Sequence, residues 1–307
     1  MKIFEAVASS VGNGIADDAL KDADNGIWLL SLPLSTQEVW QRRFYCIRWI
    51  DRLAEQDLVV QPGGAQFPAF YRAWQTLLRH PSSPAPLDRW PVLQVLTADW
   101  SQWKTSNAEY VAEVSAWNEY IEAIATYHHA DLTINTLQEY EVMLDRLAGS
   151  CFQLLPNLDI PQRQLARKLG YIDQFYNNLR DLYEDTSQGL CYFPTEVLNC
   201  FGLTRQSIID CTCLNQPGYQ SLMQFWVEDY LAHWRQQTLE TIRVDDFQDD
   251  WQQLMKWFLH RYRRIEMTLQ DCQYDFVAFA QRYWSLVAQE LATEQKMRAI
   301  ESSGKLT

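Results

Sequence analysis

The sequence predicts an all-α protein folded as a single large helical bundle, and three observations carry that expectation. Apolar residues recur with a helical period along nearly the whole chain, whereas strand-like runs are brief: Leu58-Val59-Val60 runs straight into Gln61-Pro62-Gly63-Gly64, a turn signal. Only 11 Gly and 11 Pro punctuate 307 residues that are 47% hydrophobic, which suits long helices around a large core. No Pro/Gly/Ser-rich linker divides the chain, so a single domain over 1–307, with its core at about 25–298 and flexible termini, is expected instead of two.

Taken in order, the periodicity predicts helices over about 36–57, 67–79, 106–129, 134–155, 160–186, 216–241, 248–270 and 273–298, with shorter ones between. In the first of these, Trp40, Phe44, Ile47, Arg48, Asp51 and Glu55 share a face, while Tyr45, Trp49, Ile50 and Leu53 cover the other directions. From Val39 to Ala54 the helix is apolar nearly all round and is expected to run through the interior. Acids there are costly unless a cation meets them. Either Arg42, Arg43, Arg48 and Arg52 pair with Asp51 and Glu55, or a metal does.

The loop His80-Pro81-Ser82-Ser83-Pro84 separates the next two helices, and His128-His129, without a partnered HExxH arrangement, reads as a helix-end pair. The helix at 160–186 is the most informative. At 100° per residue, Gln174, Asn177, Asp181 and Asp185 fall in a narrow sector, and Ile172, Phe175, Tyr176, Leu179, Leu182 and Tyr183 take the other side. Such a stripe is most simply a solvated face. Yet Asn and Asp each cost roughly 0.5 kcal/mol against Ala inside a helix, and no Lys sits four residues from either Asp. Two carboxylates one turn apart, with an amide a turn behind, supply hard oxygen ligands of the kind Mg²⁺ takes when phosphates and waters complete its octahedron.

Gly189 ends this helix; Pro194 opens a short one that Gly202 closes, and Thr204 can cap the next. Cys211-Thr-Cys213 lacks a second pair at zinc-finger spacing. Lys256, Arg261, Arg263 and Arg264 around His260 read as a solvated basic patch, with a contact to anionic lipid or a second diphosphate as the alternative.

Net charge is −13, with 26 Lys plus Arg against 39 Asp plus Glu and no basic face, which excludes a nucleic-acid partner. Seven cysteines and no signal-peptide pattern point to a reducing, cytoplasmic location. No stretch of 18 residues is free enough of charge to span a bilayer, so any membrane contact is expected to be peripheral.

Two segments together resemble the squalene and phytoene synthases, the head-to-head prenyl transferases. KLGYIDQFYNNLRDLYEDTSQGLCYFPTEVLNCFGLT (168–204) is similar to the family's second aspartate-rich motif with its flanks, and YCIRWIDRLAE (45–55) is similar to the first. The resemblance implies the isoprenoid-synthase helical bundle around a central apolar cavity. It implies metal held by Asp51 and Glu55 on one wall and by Asp181, Asp185 and Asn177 on the other. Arg48, Gln174, Asn177 and Arg180 would reach diphosphate, Phe44 would line a tunnel, and Tyr283, in the run AQRYWSLVAQEL, would be a retained catalytic tyrosine.

The chain departs from the family pattern at several places. Asp24-Asn25-Gly26-Ile27-Trp28 stands where a Ser-x-Ser-Phe element is usual, and Glu55 replaces an Asp. A tyrosine expected upstream of Ala148-Gly149 falls at Asp145, unless Tyr140 or a register shift supplies it. The basic residue expected after the last core helix has only Lys296 and Arg298 nearby.

The implied activity is Mg²⁺-dependent condensation of two allylic prenyl diphosphates, farnesyl or geranylgeranyl, through a cyclopropylcarbinyl diphosphate. The phytoene-like product of carotenoid biosynthesis is favoured slightly over squalene because no membrane tail and no dinucleotide glycine fingerprint is visible. The alternative, motivated by the departures, is a catalytically impaired relative acting as a prenyl-lipid-binding or assembly factor.

Overall fold

The computed structural model describes residues 16, 18–59, 65–80, 85–101, 107–129 and 131–304, with 58–59, 85–86, 239 and 298–304 described by backbone alone. The turn at 60–64, the loop residues 81–84 and the Arg298 side chain lie outside the described residues.

Sixteen α-helices run through the described chain: α1 (Asp18–Gly26), α2 (Leu34–Val59), α3 (Phe67–Arg79), α4 (Ala85–Arg89), α5 (Pro91–Trp100), α6 (Ala108–Tyr127), α7 (Leu137–Leu144), α8 (Ser150–Gln153), α9 (Ile160–Arg180), α10 (Leu182–Ser187), α11 (Thr195–Cys200), α12 (Arg205–Ile209), α13 (Pro217–Gln224), α14 (Leu231–Thr241), α15 (Asp249–Asp271) and α16 (Phe276–Gly304). No strand occurs among the described residues. The protein is all-α, as expected, and every long helix read from periodicity is present.

The differences from expectation are local. The helix expected at 134–155 carries a π turn at Asp145–Gly149, and that expected at 216–241 carries one at Phe225–Tyr230. Periodicity does not reveal an extra residue in one turn. The helix expected at 160–186 is interrupted at Asp181, whose ψ is 3°. Asp18–Gly26, which lies largely before the expected core, forms α1 and borders the central cavity.

Local chemistry explains the frame. Asp159 accepts from the Gln162 amide and Gln162 reaches back, a capping box that starts α9 next to Pro161 in its first turn. Thr204 caps α12 in the same way. Gly189, at φ +76°, supplies the left-handed residue that ends α10.

Gly170 sets the closest helix contact: a Cβ there would meet the Ala148 carbonyl oxygen at 2.2 Å and Phe152 Cγ at 2.9 Å. The bare backbone therefore lets α9 press on the π turn and α8.

Most aromatics fill the core. Trp40, Trp74, Trp117, Trp226, Trp251 and Trp284 are all fully buried. Several tie their indole N–H to the frame: Trp40 donates to Asp250 Oδ2 at 2.7 Å and Trp251 to the Pro156 carbonyl at 2.8 Å. Among the described residues no helix is long and apolar enough to cross a membrane, and all seven cysteines are unpaired.

Candidate active site

A cavity of about 780 Å³ opens in the bundle, and both acidic helices face it. From α2 come Phe44, Arg48, Asp51 and Glu55; from α9 and α10 come Gln174, Asn177, Arg180, Asp181 and Asp185. Acid pairs more than a hundred residues apart thus border one hollow. The wall also carries apolar side chains, among them Ile47, Leu147, Phe152, Leu155, Leu254 and Phe258.

On the α2 wall, Arg48 Nη1 donates to Asp51 Oδ2 at 2.5 Å, across one helical turn, and lies 3.9 Å from Glu55 Oε1. Its Nε reaches Asp22 of α1 at 3.3 Å. The pairing of arginine with these acids, one of the two readings of this helix, is therefore real for Arg48. Arg42 and Arg52 pair elsewhere, with Asp99 and Asp22, and Arg43 with Glu113. Partial desolvation and the neighbouring Asp51 charge outweigh Arg48 and push Glu55, whose side chain is 45% exposed, up to about 7. His128 Nε2 lies 3.9 Å from Asp51 Oδ1.

On the facing wall, Arg180 forks onto Asp181 with Nε–Oδ1 2.8 Å and Nη2–Oδ2 2.6 Å. Burial alone would raise Asp181, but this fork, with Lys21 nearby, holds it below the usual carboxylate range. Asp185 is the opposite case. Its carboxylate meets no donor among the described residues, and burial, with the charges of Asp181 and Glu184, pushes it well above the usual range. Asn177 is similar: its Oδ1 is buried without a hydrogen-bond partner. Gln174 lines the cavity and gives one amide hydrogen to Asn178 Oδ1 at 2.9 Å.

These oxygens fit a hard divalent cation. Asp185 has no hydrogen-bond donor among the described residues, the charges of Lys21 and Arg180 do not offset its burial and acidic neighbours, and Asn177 Oδ1 is buried without a partner. No group of three His, Cys, Asp or Glu side chains among the described residues could hold a metal ion by itself. A cation here would take its remaining ligands from a substrate diphosphate and water.

Three expectations need correction. Tyr283 does not line the cavity; it is fully buried, accepting from Arg264 Nη2 at 3.0 Å and donating to Asp24 Oδ2 at 3.4 Å. At Asp145, where the tyrosine is absent, Arg167 holds both carboxylate oxygens, at 2.7 and 2.5 Å, and the residue does not line the cavity. Tyr140 does not replace the absent tyrosine: it is buried against Phe175 and Trp226 and accepts from Asn178 Nδ2 at 3.0 Å. Finally, Arg261 and Arg264 are not a solvated patch, since they are 3% and 7% exposed and Arg261 lines the cavity. Lys296 is exposed on α16, so the cavity's additional cation comes from α15.

Several wall residues are not assigned to the site by the sequence: Asp22 of α1, Tyr120, His128, Asp173 and Tyr192, while Asn25 enters only as a departure from the family pattern and Arg261 only through the alternative of a second-diphosphate contact. Two left a signal. Asp173 lies four residues before Asn177 on the same face, and Arg261 falls in the buried series Leu254, Phe258, Arg261, Ile265.

With this geometry in view, the comparisons with known proteins agree. The sequence pattern of the squalene/phytoene synthase family matches residues 29–288. The chain belongs to the squalene/phytoene synthase family. Its structure is similar to that of a dehydrosqualene synthase crystallised in complex with ligand, with a TM-score of 0.64 at 16% identity over 90% of this chain and 93% of that one. It is also similar to squalene synthase HpnC from Alicyclobacillus acidocaldarius, with a TM-score of 0.54 at 16% identity over 80% of this chain and 98% of that one. At this identity the likeness shows the fold, which is the all-α isoprenoid-synthase fold. No curated protein matches the chain in sequence.

Proposed function

We propose that this member of a prenyl-transferase family condenses two allylic prenyl diphosphates head to head, with farnesyl or geranylgeranyl diphosphate as substrate. The observation that carries the reading is the convergence of Asp51 and Glu55 with Asp181 and Asp185 on one cavity that is also lined by apolar side chains.

In this reading Asp51, Glu55, Asn177, Asp181 and Asp185 hold Mg²⁺, which when bound neutralises diphosphate charge and aids departure of the leaving group. The chain's own residues do the rest. Arg48 and Arg180 face the cavity with guanidinium groups, and their hydrogen bonds strengthen as charge collects on the leaving diphosphate. Gln174 keeps an acceptor oxygen and a second amide hydrogen for orientation.

The C1–O bond of the donor breaks with its electron pair leaving on diphosphate. The double bond of the second chain attacks the allylic cation, and loss of a proton closes the cyclopropane. Phe44, Phe152 and Phe258 border the space where the tails lie and keep water from the cation. Soluble association with a membrane surface, through the lipid substrate, is part of the same proposal.

A second reading has its own support. No tyrosine of the 137–153 segment lines the cavity, and Asp51 and Asp181 are already paired with arginines. A relative that binds prenyl diphosphate without completing the reaction, acting as a lipid-binding or assembly factor, fits those facts. Incubating the purified chain with farnesyl or geranylgeranyl diphosphate, with and without Mg²⁺, separates the two. Magnesium-dependent diphosphate release with a coupled hydrocarbon or cyclopropyl product supports the enzyme; binding without release supports the factor.

A further inference from the structure

Asp173 is a buried carboxylate, 6% exposed, that the proposed chemistry does not use. Its two oxygens divide their partners. Oδ1 accepts from Arg261 Nη2 and from the Tyr262 hydroxyl, the latter at 2.8 Å. Oδ2 accepts from Asn177 Nδ2 at 3.0 Å. Tyr262 is held in turn by stacking on Tyr176, with ring centroids 3.9 Å apart and planes within 3°. Arg261 is held by the Asn25 amide oxygen, 2.7 Å from its Nη1.

An ionised carboxylate only accepts hydrogen bonds, and a side-chain amide offers a donor on one atom and an acceptor on the other. Asp173 therefore fixes which way Asn177 faces. The amide nitrogen turns to Asp173, and the oxygen is left buried and without a donor one turn before Asp181.

We infer that Asp173 is a positioning residue, which presents the Asn177 oxygen to the divalent cation of the diphosphate site while Arg261 and Tyr262 hold Asp173 itself in place. The inference rests on the proposed function of the cavity. Partners one shell behind a metal ligand commonly fix the orientation of that ligand. Asp173→Asn would reverse the arrangement. Arg261 and Tyr262 would claim the new amide oxygen, its nitrogen would face Asn177, and Asn177 would turn its oxygen inward and its NH₂ toward the cation.

The test uses the full chain, Mn²⁺ and inorganic diphosphate, with binding read by calorimetry and by the Mn²⁺ spin-resonance signal. Asp173→Asn is expected to weaken Mn²⁺-dependent diphosphate binding about 10- to 100-fold. The exchange Asp173→Asn with Asn177→Asp restores a donor facing an acceptor and an oxygen facing the metal. It is expected to bind within about threefold of the parent.

The exchange carries the test however the single variant folds, because a merely structural Asp173 predicts no recovery. A parent that binds while Asp173→Asn binds equally well overturns the assignment to Asp173, and so does an exchange that fails to recover. A parent that binds no Mn²⁺ with diphosphate overturns the reading of the cavity, and this inference with it.

Discussion

Replacing Asp185 by Asn separates the cost of the site from its use. In the ligand-free protein Asp185 is half-buried, has no donor among the described residues, and sits beside the charges of Asp181 and Glu184, so its carboxyl is pushed well above the usual range. A native pKa above the unfolded value means that the native state binds the proton more tightly. That contribution is neutral below the unfolded value, grows destabilising as pH rises from there, and levels off above the folded one. Asp181 and Asp185 are like charges one helical turn apart, a repulsion worth roughly 0.2–0.5 kcal/mol, or about 1 °C in Tm for a chain of this size. Asn keeps the shape and removes the charge. At pH 8 the variant is expected to melt about 1 °C or more above the parent without ligand, and the difference should vanish near pH 3. With Mg²⁺ and diphosphate the order should reverse, because the parent gains stability by binding and the variant does not. Differential scanning calorimetry of both proteins under the three conditions makes the comparison. A variant no more stable than the parent at pH 8, or one stabilised equally by Mg²⁺ with diphosphate, would refute the reasoning.

Three further outcomes are expected. Glu55, pushed up to about 7 by partial desolvation and Asp51, makes the ligand-free protein lose stability as pH rises from about 4.5 through 7, to an extent that solvent screening of its exposed side chain reduces; in Glu55→Gln the fall of Tm over that window should be shallower, as a pH series of melting curves would show. Gly170→Ala places a methyl 2.2 Å from the Ala148 carbonyl oxygen, so chemical denaturation should show a loss of about 1–3 kcal/mol; an unchanged midpoint would mean that α9 can withdraw freely. Phe44→Trp should shift preference toward the shorter prenyl tail in competition between farnesyl and geranylgeranyl diphosphates, and an unmoved ratio would remove Phe44 from the tunnel wall.

The fold was legible because long amphipathic helices write their period into the sequence. Helix α3 spans the residues that periodicity gave, and α2, α6 and α15 begin and end within about two residues of expectation. The cavity-facing acids were legible for the same reason, as steps of three and four place Gln174, Asn177, Asp181 and Asp185 on one side. What stayed hidden depends on contacts between elements. The π turn at Asp145–Gly149 answers to the close approach of Gly170. Helix α1, with an acidic and poorly apolar sequence, shows its role only when Asp22 meets Arg48 and Asp24 meets Arg264. Arg261 and Arg264 looked solvated because a charged run ordinarily is. Their burial follows from Asp173 and Asp24, carboxylates supplied by helices far away in the chain. Tyr283 kept its place in a helix similar to the family's last core helix, yet it points into a network behind Arg264 instead of into the cavity.

The central claim, that Asp51 and Glu55 on one side and Asp181 and Asp185 on the other grip a single metal-diphosphate cluster, is tested most directly by a crystal structure of the protein with Mn²⁺ and a non-ionisable farnesyl thiodiphosphate. Anomalous peaks between the two walls, with the diphosphate near Arg48 and Arg180 and the tail running toward Phe152 and Phe258, are the expected result. Manganese bound away from these carboxylates, or a ligand lying outside the cavity, would contradict it.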